Sequence, residues 1–536
     1  MSYDYLHHTK EQDKTLKNVL LLGLAIILSS CFDQPVDGGP PPRADLPIEP
    51  RFEGLAEQIE AERVATGTPG VAALVIEGDE VVFAHGFGSR HPTSDEYEPV
   101  TAATLFRIGS VTKMLTATAF LQLIASGDIT VEAPVTDVIP EFAGLTPEGT
   151  PDMTMEHLLT HGSGVVDYLE IDAPPGEQTD AALDSVLTGR LAQDGYLMSP
   201  PGRMWNYANP NYYILGLVVE RIVGQPYAHV MEERVFGPLG MARTWFRPEE
   251  VMADGDFAWG KSAYTPSGVV APDGYENPWG RPAGYAFSSV WDLSEFVLFL
   301  MRGRDDVLPS DLREGMQQPR RNTEMFYDLE HYGYGLLVSD GVATGSGYYE
   351  TRVVSHGGDI PGFAASVYMH PGSGLAFITL ANADGAHFNA SAAFVFENFA
   401  TFPEPVEPPA PDASPEHLAS LAGTFHDPFN VGEIVVEASE SGLTVEFPDL
   451  DAAGIPYEPQ LQQVSDQTFV LGIQGTSIAA TFILDDNGNV EYFRTRTFVG
   501  RVADNASATR VRVDGEALLW RLRTLPPRSL SPVPAR

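Results

Sequence analysis

Apolar and polar positions change their period along the chain, and the changes divide it into regions. Glu53 to Thr66 is patterned as a helix, whereas Val71 to Phe83 (VAALVIEGDEVVF) alternates around an Asp-bearing turn and predicts a strand hairpin. Met114 to Ile124 (MLTATAFLQLI) is a strongly apolar helical run that opens at Ser110, with Gly127 as its stop. Leu293 to Met301 (LSEFVLFLM) predicts a buried helix, and Val353 to Ile378 supplies apolar strands punctuated by glycine and proline. Two strands early and several late predict one antiparallel sheet completed by both ends of residues 51–401, with helices packed on its faces. From Glu416 onward the helical signal fades, and GEIVVEA, GLTVEF, QTFVLGI, IAATFILDDNGNVEYFRTR and TRVRV recur between turns. They predict a small antiparallel barrel or sandwich over residues 416–536, with a disordered end. The expected class is therefore α+β with an added all-β domain.

Proline and glycine mark the joints. Asp33 to Pro50 (DQPVDGGPPPRADLPIEP) cannot sustain a helix or a central strand and predicts a flexible tether over residues 32–50, and Phe402 to Pro415 (FPEPVEPPAPDASP) predicts a second linker. Before the tether, Val19 to Leu28 (VLLLGLAIIL) follows Lys14 and Lys17 and is too short to span a bilayer, so residues 1–31 read as a secretory signal. The single cysteine, Cys31, comes directly after Leu28-Ser29-Ser30 and resembles the lipobox cysteine of bacterial lipoproteins. Export, with membrane attachment only through a lipid on Cys31, is the expectation. One cysteine also excludes an intrachain disulfide framework.

The chain has 536 residues, 43% of them hydrophobic, enough for two or three domains with a large core. Its formal net charge of −41 repels phosphate backbones and argues against a nucleic-acid partner.

Candidate chemistry begins at Ser110-Val111-Thr112-Lys113. The i, i+3 spacing puts serine and lysine on one helix face, and the helix start favours developing negative charge on the seryl oxygen. A lysine buried there loses solvation, so its pKa falls and it can accept the seryl proton. Taken alone, a serine N-cap followed by a surface lysine is the commoner meaning of such a short pattern. His157 and His161 stand four apart on a predicted helix, a spacing two zinc ligands could use, but Leu158 occupies the place of a zincin glutamate. A packing or loop-anchoring role is expected for them, and no metal or cofactor. Gly260-Lys261-Ser262 lacks the glycine run of a phosphate loop, and no Gly-x-Ser-x-Gly elbow occurs.

The wider context changes the weight of the Ser110 pattern. Leu105 to Phe142 resembles the nucleophile region of class C β-lactamases, Ser-x-x-Lys penicillin-binding proteins, D-aminopeptidases and related esterases. MEHLLTHGSG (155–164), WNYANPNYYILGLVVE (205–220), PLGMART (238–244), PAGYAFSSVWDLSEF (282–296) and HGGDIPGF (356–363) follow in the order of that superfamily. The resemblance implies a β-lactamase/transpeptidase-like fold and an acyl-serine on Ser110. It also implies proton work shared by Lys113 and Tyr207, and an amide at Asn209 that binds lysine and substrate. It further implies His356-Gly357-Gly358 as the third motif, its glycines letting substrate lie against a strand edge, and an oxyanion hole from the backbone N–H groups of Ser110 and Asp359. Efficient class C β-lactamases carry lysine where this chain has His356, so the resemblance favours esters and D-amino-acid peptides over β-lactams. The partner is then a small molecule or short peptide. A penicillin-binding receptor with little turnover and a true class C β-lactamase are the alternatives. No chemically suggestive cluster stands out in the C-terminal region, for which an accessory or substrate-rim role is the default.

Overall fold

The computed structural model describes residues 43–93, 98–167, 179–274, 276–503, 513–515 and 518. The predicted signal and Cys31, most of the first linker, the TRVRV run apart from Val513, and nearly all of the predicted disordered end lie outside them.

The helix expected at 53–66 spans Glu53–Thr66 (α1) and ends on Gly67 in the left-handed conformation at φ 66°. The hairpin follows as β1 (Gly70–Glu77) and β2 (Glu80–Gly88). A one-turn 3-10 helix, Gly109–Val111, leads into α2 (Thr112–Ser126), which stops at Gly127. Further along come α3 (Pro210–Val223) and α4 (Val290–Arg302). Six strands then complete the sheet: β3 (Arg321–Asn322), β4 (Glu330–Tyr332), β5 (Leu337–Ser339), β6 (Val353–Ile360), β7 (Phe363–His370) and β8 (Leu375–Ala381), followed by α5 (Asn389–Phe399).

The sheet order is β2-β1-β8-β7-β6-β5-β4-β3, with every paired neighbour antiparallel, so the first two strands join the last six as the apolar pattern predicts. Strand β1 shows why. Val71, Ala73 and Val75 face one core with α1 and α5, while Ala72, Leu74 and Ile76 face a second with α2, α3 and α4. A strand covered on both faces needs apolar residues at every position, which explains the unbroken VAALVI run.

The C-terminal region forms a second eight-stranded sheet: β9 (Gly423–Asp427), β10 (Gly432–Ser439), β11 (Gly442–Glu446), β12 (Gln462–Gln463), β13 (Thr468–Ile473), β14 (Thr476–Leu484), β15 (Val490–Arg494) and β16 (Val499–Val502). Its order is β11-β10-β9-β16-β15-β14-β13-β12. Residues 456–461 close the gap: Val445 N donates to Pro459 O at 2.8 Å on the β11 side, and Glu458 N to Gly472 O at 2.8 Å on the β13 side. The choice between sandwich and barrel thus falls to a barrel, filled by Phe425, Phe469, Phe482 and Phe493. The segment expected as a linker at 402–415 makes hydrogen bonds to both of the regions it joins. Val406 N donates to Tyr348 O at 2.8 Å, and Asp412 O accepts from Gln463 Nε2 at 3.0 Å.

The barrel is docked on the first region. Ile483, Tyr492 and Val499 pack against Val166, Met198 and Met204, and Arg494 donates to Trp205 O at 2.6 Å and Thr323 O at 2.8 Å. The first anchor, Trp205, lies two residues before Tyr207, their ring centroids 6.4 Å apart.

Candidate active site

Ser110 sits in the 3-10 turn that feeds α2, partly exposed, while Lys113 one turn on is fully buried. The lysine ammonium is 3.0 Å from Ser110 Oγ, 2.8 Å from Asn209 Oδ1 and 2.7 Å from Ala283 O. Two of these three partners are oxygens that only accept. An amine that gives one N–H to each of them keeps its lone pair for the seryl proton. Burial, and then the Arg496 cation, hold Lys113 well below the ordinary lysine range, with Asp167 opposing them. Both effects favour the neutral amine, the form that can accept the seryl proton.

Composition points the same way. Lysine occurs only at positions 10, 14, 17, 113 and 261, and every other cation is arginine. Arginine cannot lose its proton in a protein, so one buried lysine among so many arginines marks a place where deprotonation matters.

Tyr207 and Asn209 lie just ahead of α3, and buried His161 fixes their approach. His161 Nδ1 accepts from Ala208 N at 3.3 Å and from Asn211 Nδ2 at 2.9 Å, and its carbonyl accepts from Asn206 N at 2.8 Å. Its ring centroid lies 4.2 Å from that of Tyr207, the two planes tilted by 37°. The expected helix through His157 and His161 is shorter than predicted. It spans Met155–Leu159, and His161 follows in the left-handed region at φ 54°. His157 instead completes a capping box, Nδ1 accepting from Thr154 N at 3.2 Å. The two imidazoles therefore serve separate backbone segments, and no group of three metal-binding side chains occurs among the described residues.

Burial pushes the Tyr207 phenol upward, against the pull of Arg496 and of a hydrogen bond with Ser110. It stays a phenol in the resting site. Lys113 Nζ lies 5.0 Å from the centroid of the Tyr207 ring.

The third wall is β6. Its pairing with β5 runs from Val353 to Ser355 and stops, so the edge from His356 onward faces the Ser110 turn. Two glycines set that approach. A Cβ on Gly358 would lie 2.1 Å from Ile108 O, and one on Gly109 would lie 2.6 Å from Asp359 N. Only with both bare can the main chains of Ser110 and Asp359 come together, the arrangement two N–H groups need to hold one oxyanion. The Asp359 carboxylate is tied back to His387 Nε2 at 2.8 Å. Burial lowers the His387 imidazole, but Asp359 outweighs it and the net shift is upward.

His356 behaves differently from a substrate ligand. Its Nδ1 lies 2.6 Å from Gly357 O and its Nε2 2.9 Å from Tyr332 Oη, and the residue is 4% exposed. Burial, then Lys113, lower its pKa to about 3, so it is neutral. Nδ1 must carry the hydrogen, because a carbonyl only accepts, and Nε2 then accepts from the tyrosine. Both nitrogens are committed, and Gly357 and Gly358 rather than the imidazole present the open edge.

A serine beside a buried lysine of lowered pKa, walled by a tyrosine, an asparagine and a glycine-lined strand edge on an antiparallel sheet, defines an α+β protein built to present a seryl oxygen. The model of the Beta-lactamase family matches residues 56–399, and the chain belongs to that family. It is 32% identical over 202 residues to penicillin-binding protein 4 of Amycolatopsis lactamdurans (37% of this chain, 49% of that protein), and 35% identical over 204 residues to esterase EstB of Burkholderia gladioli (36% and 50%). The chain thus spans about half the length of the curated relatives it matches. An octameric penicillin-binding protein homologue from Pyrococcus abyssi shares the fold with a TM-score of 0.55 at 22% identity, over 83% of this chain and 99% of that one. That coverage exceeds the family-matched span.

Arg496 and Asp167 escaped the sequence reading. Arg496 Nε donates to Asp167 Oδ2 at 2.7 Å, and Asp167 Oδ1 accepts from Asn209 N at 2.8 Å. Their only sequence signal is Arg494 and Arg496 two apart at a strand end, one face of a pattern that surface arginines also make.

Proposed function

We propose that the chain is a serine hydrolase working through an acyl-Ser110 intermediate on short acyl esters or D-amino-acid peptides. The observation that carries this is Lys113, fully buried, 3.0 Å from Ser110 Oγ and with two acceptors on its N–H groups. Lys113 takes the seryl proton as Oγ attacks the substrate carbonyl. The backbone N–H groups of Ser110 and Asp359 receive the oxyanion, and Tyr207 delivers a proton to the leaving group and is reprotonated from Lys113; water then attacks the acyl carbon, giving a proton to Lys113 that returns to Ser110 Oγ as the acid leaves. Asn209 keeps the lysine aimed. The esterase relative supports an ester as substrate. His356, neutral and with both nitrogens engaged, offers no cation to a β-lactam carboxylate and so favours the first two substrate classes.

Ser110→Ala is expected to abolish both turnover and covalent labelling by a fluorophosphonate or β-lactam probe, and a mutant that still labels would sink the assignment. Comparing kcat/KM for p-nitrophenyl butyrate, D-Ala peptides and nitrocefin separates the substrate classes, with nitrocefin expected last. Export and lipidation belong to the same proposal. Radiolabelled palmitate should enter the wild-type chain in a bacterial host and be missing from Cys31→Ser.

A further inference from the structure

Among the described residues of the C-terminal barrel, the hairpin between β15 and β16 carries a charge into the catalytic centre. Its turn is rigid: Thr495 Oγ1 accepts from Thr497 N at 3.2 Å and Phe498 N at 3.0 Å, and both threonines are buried. Arg494 fastens the hairpin to Trp205 O and Thr323 O. Two residues on, Arg496 holds Asp167 Oδ2 through Nε at 2.7 Å and through a second guanidinium nitrogen, also at 2.7 Å. The Asp167 side chain is fully buried, and its other oxygen takes the Asn209 N–H. The guanidinium carbon of Arg496 also lies 4.6 Å from the centroid of the Tyr207 ring that Lys113 approaches.

We propose that Arg496 is a positioning residue of the acyl-serine centre, fixing the Tyr207–Asn209 segment through Asp167 and keeping a permanent cation beside Lys113, so that the centre is complete only with the barrel docked. This rests on the proposed acyl-Ser110 chemistry. A structural clamp alone would not need the charge where it is. The ionisable groups around Lys113 and Tyr207 are Arg496, Asp167, Asp359, Tyr212, Tyr332, His161 and His356. The imidazoles are kept neutral by burial, which leaves Arg496 as the permanent cation of this group. Its effect on Lys113 is larger than the opposing one of Asp167. Each group that must lose a proton therefore does so against a charge held in place by the other domain.

The test uses the full chain. The rate of Ser110 labelling by a fluorophosphonate is followed against pH in wild type, Arg496→Gln, Arg496→Lys and a control, Arg501→Gln, whose side chain is 69% exposed on β16. In Arg496→Gln the acid limb should move up by about one pH unit, with labelling at pH 7 reduced at least about tenfold. Arg496→Lys should return most of the limb, and Arg501→Gln should leave it in place. An unmoved limb in Arg496→Gln, whatever the loss of rate, reduces the residue to a structural contact and overturns the proposal. A second readout needs no activity. With lysine only at 113 and 261 beyond residue 17, the NMR titration of a 13Cε-lysine-labelled protein isolates Lys113. Its midpoint should rise in Arg496→Gln, or in Arg496→Met should the glutamine variant not fold, and an unchanged midpoint overturns the proposal. A wild type that labels nowhere on Ser110 would defeat the hydrolase reading, and the lysine titration would still decide the role of Arg496.

Discussion

Lys113 and His356 are both buried bases of the same centre, yet their neighbours give them opposite uses. Lys113 keeps a lone pair towards Ser110 because its other partners are Asn209 Oδ1 and Ala283 O. His356 has no such vacancy, since Gly357 O and Tyr332 Oη take both of its nitrogens. Lys113→Arg keeps a long basic side chain but cannot deprotonate, so it should lower the Ser110 labelling rate at least about 1,000-fold. A stopped-flow or gel-based labelling assay measures this, and a fall of less than tenfold would mean that the lysine is not the base. Tyr332→Phe leaves a buried imidazole nitrogen unpaired and should cost about 1–3 kcal/mol in denaturant unfolding. Its effect on labelling should be much smaller than that of Lys113→Arg.

At the scale of elements, the centre depends on how closely β6 approaches the turn before α2. Gly358 and Gly127 separate that requirement from ordinary backbone preference. A Cβ at Gly358 meets main-chain atoms of Ile108 at 2.1 Å, whereas one at Gly127, φ 79°, meets nothing within 4 Å. Gly127→Ala should therefore cost about 1–2 kcal/mol of stability for its left-handed conformation and leave kcat/KM unchanged. Gly358→Ala should force the strand off the turn and lower kcat/KM at least about 100-fold. Thermal melting alongside ester kinetics distinguishes the two, and equal losses of activity would remove the argument from close approach. The same elements show what could be read from the chain. Helix α1, the β1–β2 hairpin and the apolar start of α2 follow local pattern, and each forms where its period predicts. The β16 strand and the closing segment at 456–461 do not, because they are short and are set by pairing within the closed barrel, β16 between β15 and β9 and 456–461 between β11 and β13. Arg496 belongs with them. Nothing within ten residues of it signals a catalytic centre, and its meaning comes from Asp167, more than three hundred residues earlier.

For the whole molecule, acid should act through histidines that the fold keeps neutral. Burial lowers His356 to about 3 and His157 to about 4, and His161 is also held well below the usual range. In the unfolded chain the same groups titrate near ~6.5, so between that pH and the folded values the unfolded state binds more protons than the native one. Their contribution is complete above about pH 6.5 and is lost as pH falls through the folded values. Two effects run the other way. Buried Asp292 and Asp427 have raised pKa values and are relieved by protonation, and a net charge of −41 repels itself less as carboxylates neutralise. The total pH dependence therefore mixes signs, whereas the difference between wild type and His356→Asn isolates one group. From pH 6.5 to pH 4.5 that histidine alone should cost the wild type about 2–3 kcal/mol, at ~1.4 kcal/mol per pH unit. Urea unfolding at pH 7.5, 6.5, 5.5 and 4.5 should show a gap between wild type and His356→Asn that narrows by this amount towards low pH. A gap constant across the series would mean that His356 titrates alike in the folded and unfolded chains.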